Sequence, residues 1–265
     1  MRYETVTGLR HEQLAELAAR VAGQVGDVVR PRGRDAAIGL FKSVAMVVAL
    51  MRRNLTQEVA GAVFGVSQPT VSRRWDLLRP VIGQVLADCV LAPGQVAGKG
   101  GTLLVDGTIT PTRDWKKVPG LFSGKAGYAG MNVQLAASMS GRVAAVGPVA
   151  VPGSRHDAAA FEASGLKDLI GGTSTVADLG YTGVDGIAIV PFRTPPGGQL
   201  HHSHKQFNAS LSAIRTAAER AVAHLKTWRM LSEEGGRFRP PITKFQEAPH
   251  RDHRPVLLQQ LLLTL

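Results

Sequence analysis

The chain has 265 residues, of which 44% are hydrophobic and 19% are charged, a balance typical of folded globular proteins. Its single cysteine, Cys89, excludes an internal disulfide framework, and its longest apolar run, residues 44–51, is too short to span a bilayer. No apolar signal-peptide core follows the N-terminus, so we expect a soluble, cytoplasmic protein without a membrane partner.

The net charge of +11 is concentrated in two parts of the chain. Residues 1–100 carry 13 Lys and Arg against 8 Asp and Glu, residues 101–190 carry 7 against 7, and residues 191–265 carry 11 against 5. Excess positive charge attracts polyanions, and its distribution predicts contact with one at two places. Many basic proteins bind no nucleic acid, so charge alone does not identify the partner.

The first 92 residues are predicted to form an all-helical domain. Apolar residues recur at intervals of three and four from Leu14 to Val25, which indicates an amphipathic helix. A Pro- and Gly-containing break at 31–34 ends it, Asp35 is expected to cap a helix that runs to about Arg53, and two shorter helices follow. Residues 93–101 are rich in Gly and Pro and lack periodicity, so we expect a linker there.

Residues 56–75 have the pattern of a helix-turn-helix. Thr56 is placed to cap a helix whose apolar face is Val59, Ala60 and Val63, and Gly65 supplies the tight turn. After Val66 in the angle between the helices, Ser67 is expected to cap the second helix. A plain three-helix bundle with a glycine turn is the alternative. The start of the second helix is predicted to contact DNA through Gln68, Thr70, Ser72, Arg73 and Arg74.

Residues 102–247 are predicted to form an α/β domain with a mixed sheet. Residues 103–105 read as a short strand that ends at Asp106, and 131–137 and 142–151 read as a hairpin. A helix over 156–163, strands over 174–177 and 186–190, a loop over 191–207 and a helix from Asn208 to about Leu231 follow. This order of elements favours an α/β architecture.

Three carboxylates in this domain are candidate catalytic residues. Asp106 and Asp178 each come directly after a predicted buried strand, and Glu219 lies among small residues on the late helix. Three acids from distant segments suit hard divalent cations, and two such ions activate water against a phosphodiester. Each acid also has an ordinary alternative: Asp106 as a turn residue, Asp178 as a cap, and Glu219 as the helical partner of Arg215.

From residue 56 to 228 the chain resembles the DDE transposases of bacterial insertion sequences, in the branch related to the Harbinger elements. The resemblance implies an RNase H-like domain with Asp106, Asp178 and Glu219 as the acids that hold Mg²⁺ or Mn²⁺, two ions in all. The matching pieces are VDGT at 105–108, FSGK at 122–125, MNVQ at 131–134, PGSRHD at 152–157, ADLGYTG at 177–183 and the helix that carries Glu219.

The late helix carries a further part of the resemblance. The related signature Tyr-x2-Arg-x3-Glu-x6-Lys maps onto Ser212, Arg215, Glu219 and Lys226, with Ser212 in place of the tyrosine. These offsets lie on one helical face, so Arg215 and Lys226 are expected to reach DNA phosphates, as is Lys125. Within the PGSRHD piece, Asp157 is expected to cap its helix, with His156 and Asp157 as possible supports of the acid site.

The implied function is a metal-dependent nuclease and strand transferase that acts on double-stranded DNA as a homodimer or larger assembly, associated with the bacterial nucleoid. A helix-turn-helix transcription regulator and a domesticated or decayed DNA-binding relative are the alternatives. The tail at 248–265 has two prolines and scattered charges where an apolar closing helix is expected, and a shifted reading frame in the gene is one explanation.

Overall fold

The computed structural model describes residues 2–25, 38–87, 92–97, 101–112 and 119–232, and these fall into two compact units. The first unit contains the described residues up to 87 together with 226–232, and the second contains those from 92 to 225. The segment 226–232 thus packs with the first unit. Asp35, the break at 31–34 and the tail at 248–265 lie outside the described residues.

The first unit is helical, as predicted. Its helices are α1 (Tyr3–Thr7), α2 (His11–Val25), α3 (Leu40–Arg53), α4 (Gln57–Phe64) and α5 (Gln68–Ala87). The apolar face predicted for α2 is confirmed, because its buried residues are Leu14, Leu17, Ala18, Val21 and Val25. The prediction of two short final helices was wrong for α5, which continues through Pro80 while it packs against α2 and α3.

Helix α3 is the centre of this unit. All nine residues from Ser43 to Met51 are buried, so the helix is covered on every side. It packs against α1, α2, α4 and α5, and its residues Met46 and Leu50 join Ala60 of α4 and Val71 of α5 in one apolar cluster. The charged end of the helix, Arg52 and Arg53, complements the negative pole of its dipole.

The turn between α4 and α5 follows from a few local interactions. Thr56 Oγ1 accepts a hydrogen bond from the Val59 amide at 3.3 Å, and Gly65 ends α4 with a φ of +72°. A Cβ on Gly61 would lie 2.6 Å from the Val66 carbonyl oxygen, so the turn after α4 folds back closely against the helix there. The predicted apolar face of α4 was wrong in part, since Val59 and Val63 are 47% and 39% exposed.

The second unit is built on a mixed sheet, which confirms the predicted α/β class. Its helix α6 (Pro93–Ala97) packs against the sheet, although residues 93–101 were expected to be a linker. The strands are β1 (Thr102–Pro111), β2 (Phe122–Ser123), β3 (Tyr128–Ser138), β4 (Val143–Val146), β5 (Val151–Pro152) and β6 (Ser174–Val176). Strand β4 pairs antiparallel with β3, β3 pairs antiparallel with β1, and β6 pairs parallel with β1.

Three strands differ in length from those predicted. Strand β1 extends past Asp106 to Pro111, because β3 pairs with it along its whole length. The strand expected over 142–151 is divided into β4 and β5, with Pro148 between them unable to donate to a ladder. The strand expected over 186–190 is a single bridge from Val176 to Ile189, because the Thr175 hydroxyl takes up the Gly186 carbonyl and the Ala188 amide.

Helices α7 (Asp157–Ser164), α8 (Leu166–Leu169) and α9 (His202–Lys226) complete the second unit. Leu103 and Val105 of β1 cluster with Phe161 of α7, whereas Leu104 between them clusters with Leu211 of α9. Since side chains alternate along a strand, α7 and α9 cover opposite faces of the sheet.

Helix α9 begins at His202, six residues before the predicted start at Asn208, and ends at Lys226. Phe192 stacks on His204 with ring centres 3.8 Å apart, and the Asn208 side chain bonds both backbone polar groups of Phe192 at 2.9 Å. These contacts fix the preceding loop onto the early turns of the helix. None of the described helices is long and apolar enough to cross a membrane.

Candidate functional site

Asp106 and Asp178 meet where the pairing of β1 with β6 stops. The last pair of that parallel ladder joins Leu104 to Val176. Asp106 and Asp178 each lie two positions further along, so both side chains are on the same face of the sheet as Leu104 and Val176, the face covered by α9. Asp106 was predicted to follow the strand, but it lies in the middle of β1.

The carboxyl group of Asp106 is half-buried among charged groups. Burial raises its pKa above the ordinary value for aspartate, and the negative charges of Asp178 and Asp157 raise it further. The hydrogen bond from the Gly107 amide to Asp106 Oδ1, 2.9 Å long, and the charge of Arg215 oppose this shift. Asp178, like Asp106 predicted to follow a buried strand, therefore lies close enough for its charge to affect the pKa of Asp106.

Arg215 is the cation nearest to this acid pair in the described structure. It extends from α9 so that its Nη2 lies 3.6 Å from Asp178 Oδ2, and both side chains are partly buried. The backbone on the other side of Asp178 is also fixed, because Asp178 Oδ1 accepts a hydrogen bond from the Gly180 amide at 2.7 Å. Asp178 thus caps the 3-10 turn Leu179–Tyr181, as the alternative interpretation of this residue predicted. The cap uses Oδ1 only, so Asp178 also remains a member of the acid pair.

The third predicted acid, Glu219, lies on α9 one turn after Arg215, and its side chain is exposed. Within the described ranges, no three His, Cys, Asp or Glu side chains are grouped closely enough to hold a metal ion. The structure therefore brings Asp106 and Asp178 together but does not group Glu219 with them. Lys226, the last residue of α9, is half-buried and belongs to the first unit.

Asp157 lies close enough to Asp106 for its negative charge to raise the pKa of that carboxyl group. The prediction that it caps α7 was wrong: His156 is the cap, and its Nδ1 accepts from the Ala159 amide at 3.3 Å. This leaves the Asp157 carboxylate free for other contacts, one of which is Lys125, whose Nζ lies 3.5 Å from Asp157 Oδ2. Lys125 itself is 83% exposed, as a residue that contacts DNA would be.

Sequence reasoning did not identify two buried amides, Asn132 and Gln134 of β3, as part of this region. They are 1% and 0% exposed and lie on the same face of the strand, next to the Asp157 carboxylate. The signal was present in the sequence, because two amide side chains spaced two residues apart interrupt an otherwise apolar strand. Buried amides need partners, and that need points to a hydrogen-bonded network.

The residues predicted to contact DNA at the start of α5 differ in exposure. Arg73 is exposed, and its Nη2 lies 3.4 Å from Thr70 Oγ1. Gln68 is half-buried and bonded to Gln57 of the preceding helix. Thr70, Ser72 and Arg74 are also half-buried. Arg73 is thus the most accessible cation of this set.

Comparison with known proteins gives a family match over more than half of the chain. Residues 105–248 match the model of a DDE superfamily endonuclease. The chain is 31% identical over 228 residues to a protein of Streptomyces albus G described as a transposase for insertion sequence element IS112, covering 86% of this chain and 84% of that protein. It is 26% identical over 214 residues to a probable transposase for element IS702 of Microchaete diplosiphon, covering 76% and 75%. No solved structure matches significantly.

Proposed function

Because the chain belongs to the DDE superfamily of endonucleases, we propose that it is a transposase that binds element ends, cuts DNA by hydrolysis and joins the freed 3′-hydroxyl to target DNA. The observation that carries this proposal is the coupled pair of Asp106 and Asp178 at the end of the β1–β6 ladder, with Arg215 beside it. The two similar insertion-element transposases support the same reading.

The acid pair fits a divalent cation. The two carboxylates form a site with excess negative charge, which Arg215 balances only in part. The raised pKa of Asp106 reflects this excess charge together with burial. Mg²⁺ and Mn²⁺ are held by one or two carboxylates together with substrate phosphates, so the donor set suits them. When bound, such ions activate water and stabilise the leaving oxygen of a phosphodiester. We assign Asp106 and Asp178 as ligands, and Glu219 as the third, with two ions in all.

The remaining residues of the site bind and orient the DNA. Arg215 lies beside Asp178 and Lys125 lies beside Asp157, and we assign both to backbone phosphates, together with Lys226 at the end of α9. Tyr181 is fully buried and donates its hydroxyl hydrogen to Gln134, so it is not placed to attack DNA. Cleavage and joining then proceed without a covalent link between protein and DNA.

The three acids are tested by neutral substitutions. Asp106→Asn, Asp178→Asn and Glu219→Gln should each lower the rate of nicking by several orders of magnitude while DNA binding persists, because each removes charge that stabilises the transition state. Nicking of a labelled duplex that carries an element end measures the rate, and a mobility-shift titration measures binding. Asp185→Asn is the matched control, since Asp185 is an exposed carboxylate paired with Lys167. Near-normal nicking by any one of the three variants removes that residue from the site.

The helical unit is proposed to read the element end. Arg73→Ala should weaken binding by about 1–3 kcal/mol if the guanidinium reads a base, with loss of sequence preference. If Arg73 contacts phosphate only, the slope of log affinity against log salt should instead fall by about one. Arg20→Ala, which removes an exposed arginine paired with Glu16 on α2, is the control. Unchanged affinity and salt slope for Arg73→Ala would exclude this residue from the interface.

The active assembly is proposed to be a homodimer or a larger oligomer on double-stranded DNA, in the cytoplasm and associated with the nucleoid. This follows from the two ends that an insertion element presents, each of which needs its own acid centre.

A further inference from the structure

Four side chains from three separated segments form one hydrogen-bonded chain under the acid pair. Tyr181 Oη donates to Gln134 Oε1 at 2.7 Å, and Gln134 Nε2 donates to Asn132 Oδ1 at 2.8 Å. Asn132 Nδ2 then donates to Asp157 Oδ1 at 2.9 Å. The three uncharged members are at most 1% exposed, so water does not replace these bonds.

The direction of the chain is fixed by a fourth bond. Asn132 Nδ2 also donates to the carbonyl oxygen of Arg155 at 3.2 Å, and a carbonyl oxygen only accepts. The Asn132 amide is therefore oriented with its oxygen toward Gln134, which must donate to it. The Gln134 oxygen is then left to face Tyr181, which must donate in turn. Every bond points toward the Asp157 carboxylate, which accepts the last one.

The chain also packs against the backbone of β1 directly after Asp106. A Cβ on Gly107 would lie 2.5 Å from Gln134 Nε2 and 2.6 Å from Asp157 Oδ1. Side chains alternate along β1, so this contact is made on the face opposite to that of the Asp106 side chain. The other end of the chain is Tyr181, the last residue of the turn that Asp178 caps. The chain thus contacts β1 at Gly107, the residue after Asp106, and ends at Tyr181, three residues after Asp178.

We propose that Tyr181, Gln134 and Asn132 hold Asp157 as a positioning residue, and that this chain sets the placement of Asp106 and Asp178 for the reaction. The proposal rests on the function proposed above, because it assigns a purpose to residues around the same acids. It gives a physical reason for the residue types in the MNVQ, HD and GY parts of the sequence. With Oδ1 held by Asn132, Asp157 directs Oδ2 toward Lys125, so the same chain also orients a cation at the DNA-facing side.

Two neutral substitutions test the chain without changing charge. Asn132→Leu keeps the approximate shape but donates to neither Asp157 nor Arg155, and Tyr181→Phe removes only the first donor. Neither alters the charge near the acids, so a change in Mn²⁺ affinity reports their placement. The full-length protein is titrated with Mn²⁺, and binding is followed by electron paramagnetic resonance. The rate of nicking at saturating DNA and the Kd for DNA are measured alongside.

We expect Asn132→Leu to weaken Mn²⁺ binding and slow saturated nicking by about 10–100-fold, with a much smaller rise in the Kd for DNA, because Lys125 loses only the orientation of its carboxylate partner. Tyr181→Phe should shift both in the same direction by less, since two of the three bonds remain. The double variant should lose no more Mn²⁺ affinity and nicking rate than Asn132→Leu alone, because both substitutions break the same hydrogen-bonded chain. Thr110→Val is the control: this buried hydroxyl on β1 has no hydrogen-bond partner in the described structure, so its loss should change neither quantity.

Unchanged Mn²⁺ affinity and saturated nicking in both single variants would overturn the proposal, as would losses that multiply in the double variant. If circular dichroism shows that Asn132→Leu does not fold, Tyr181→Phe decides alone, and parental values for it overturn the proposal. Asp106→Asn separates this outcome from failure of the proposed function. If Asp106→Asn abolishes nicking while the chain variants behave as parent, only the positioning role is lost. If Asp106→Asn nicks normally, the function itself is wrong.

Discussion

The groups around Asp106 shift the pKa of its carboxyl group in opposite directions. Burial and the charges of Asp178 and Asp157 raise its pKa, whereas Arg215 and the Gly107 amide lower it, and burial is the largest of these effects. Ionised Asp106 is therefore costly to the fold until a cation neutralises it. Buried carboxyl groups with shifted pKa values occur often at functional sites, because binding a cation requires a charge whose burial destabilises the fold.

The raised pKa of Asp106 predicts a pH-dependent gain in stability when the charge is removed. A carboxyl group with a raised pKa binds its proton more tightly in the folded protein, so its contribution to stability is present at low pH and lost as pH rises. In the presence of a chelator, Asp106→Asn should have the same melting temperature as the parent below about pH 4, the ordinary pKa of an aspartate carboxyl. As the pH rises from there through the raised pKa of Asp106, the variant should melt at a higher temperature than the parent. Differential scanning calorimetry across this range measures the difference.

Added Mn²⁺ should reverse the order of the two proteins at neutral pH, because it stabilises the parent and has lost a ligand in the variant. A melting-temperature difference that does not change with pH would contradict the assignment of a raised pKa to Asp106.

The turn from α4 to α5 illustrates which element-level features a sequence contains. The cap at Thr56 and the left-handed Gly65 are local, since each depends on its own backbone conformation, and both are observed as predicted. The buried face of α4 is not local. Val59 and Val63 are apolar yet exposed, whereas the buried residues of the helix are Ala60 and Gly61. A stretch of eight residues with several small apolar side chains does not define one face by periodicity.

Gly61→Ala should destabilise the first unit by about 1–3 kcal/mol, because the new methyl group would lie 2.6 Å from the Val66 carbonyl oxygen and the turn between α4 and α5 must shift. Gly23→Ala is the matched control in α2. Nothing lies within 4 Å of the added Cβ there, so alanine should stabilise the helix by about 0.5–1 kcal/mol. Urea unfolding followed by circular dichroism measures both changes, and equal signs for the two variants would refute this account.

The sheet shows the same distinction between local and distant information. Alternation and composition located the strands near Asp106 and Asp178, but the length of β1 depends on its pairing with β3, which lies some twenty residues away. The amides of Asn132 and Gln134 were visible in the sequence, whereas their partners Tyr181 and Asp157 come from other segments. Family resemblance indicated which acids to examine. It did not indicate how the neighbouring polar residues are connected.

At the scale of the whole molecule, the first unit is completed by a segment that follows the second. Trp228 and Leu231 are 5% and 1% exposed, and the 3-10 turn Arg229–Leu231 packs on α3. The Arg52 guanidinium lies 5.1 Å from the centre of the Trp228 ring and donates to Thr227 Oγ1 at 2.7 Å. The chain therefore leaves the first unit after its N-terminal helices and returns to it after α9.

Trp228→Ala should destabilise the first unit by about 3–5 kcal/mol, the range for loss of a large buried aromatic side chain. Urea unfolding of the full chain, with the DNA affinity as a second measurement, should show a lower midpoint and weaker binding. Phe122→Ala removes an aromatic side chain that is 63% exposed and should leave both unchanged. A fragment of residues 1–90 that is as stable as the intact unit would contradict the role given to Trp228.

The return of the chain to its first unit has a consequence for synthesis on the ribosome. Domains generally fold as they emerge, the N-terminal one first. Here α1 to α5 emerge more than a hundred residues before Trp228, so they remain without their last aromatic packing partner while the whole second unit is made. The nascent helices then expose apolar surface around α3 that only the finished protein covers, and a chain truncated before residue 226 would leave that surface open to chaperones or proteases.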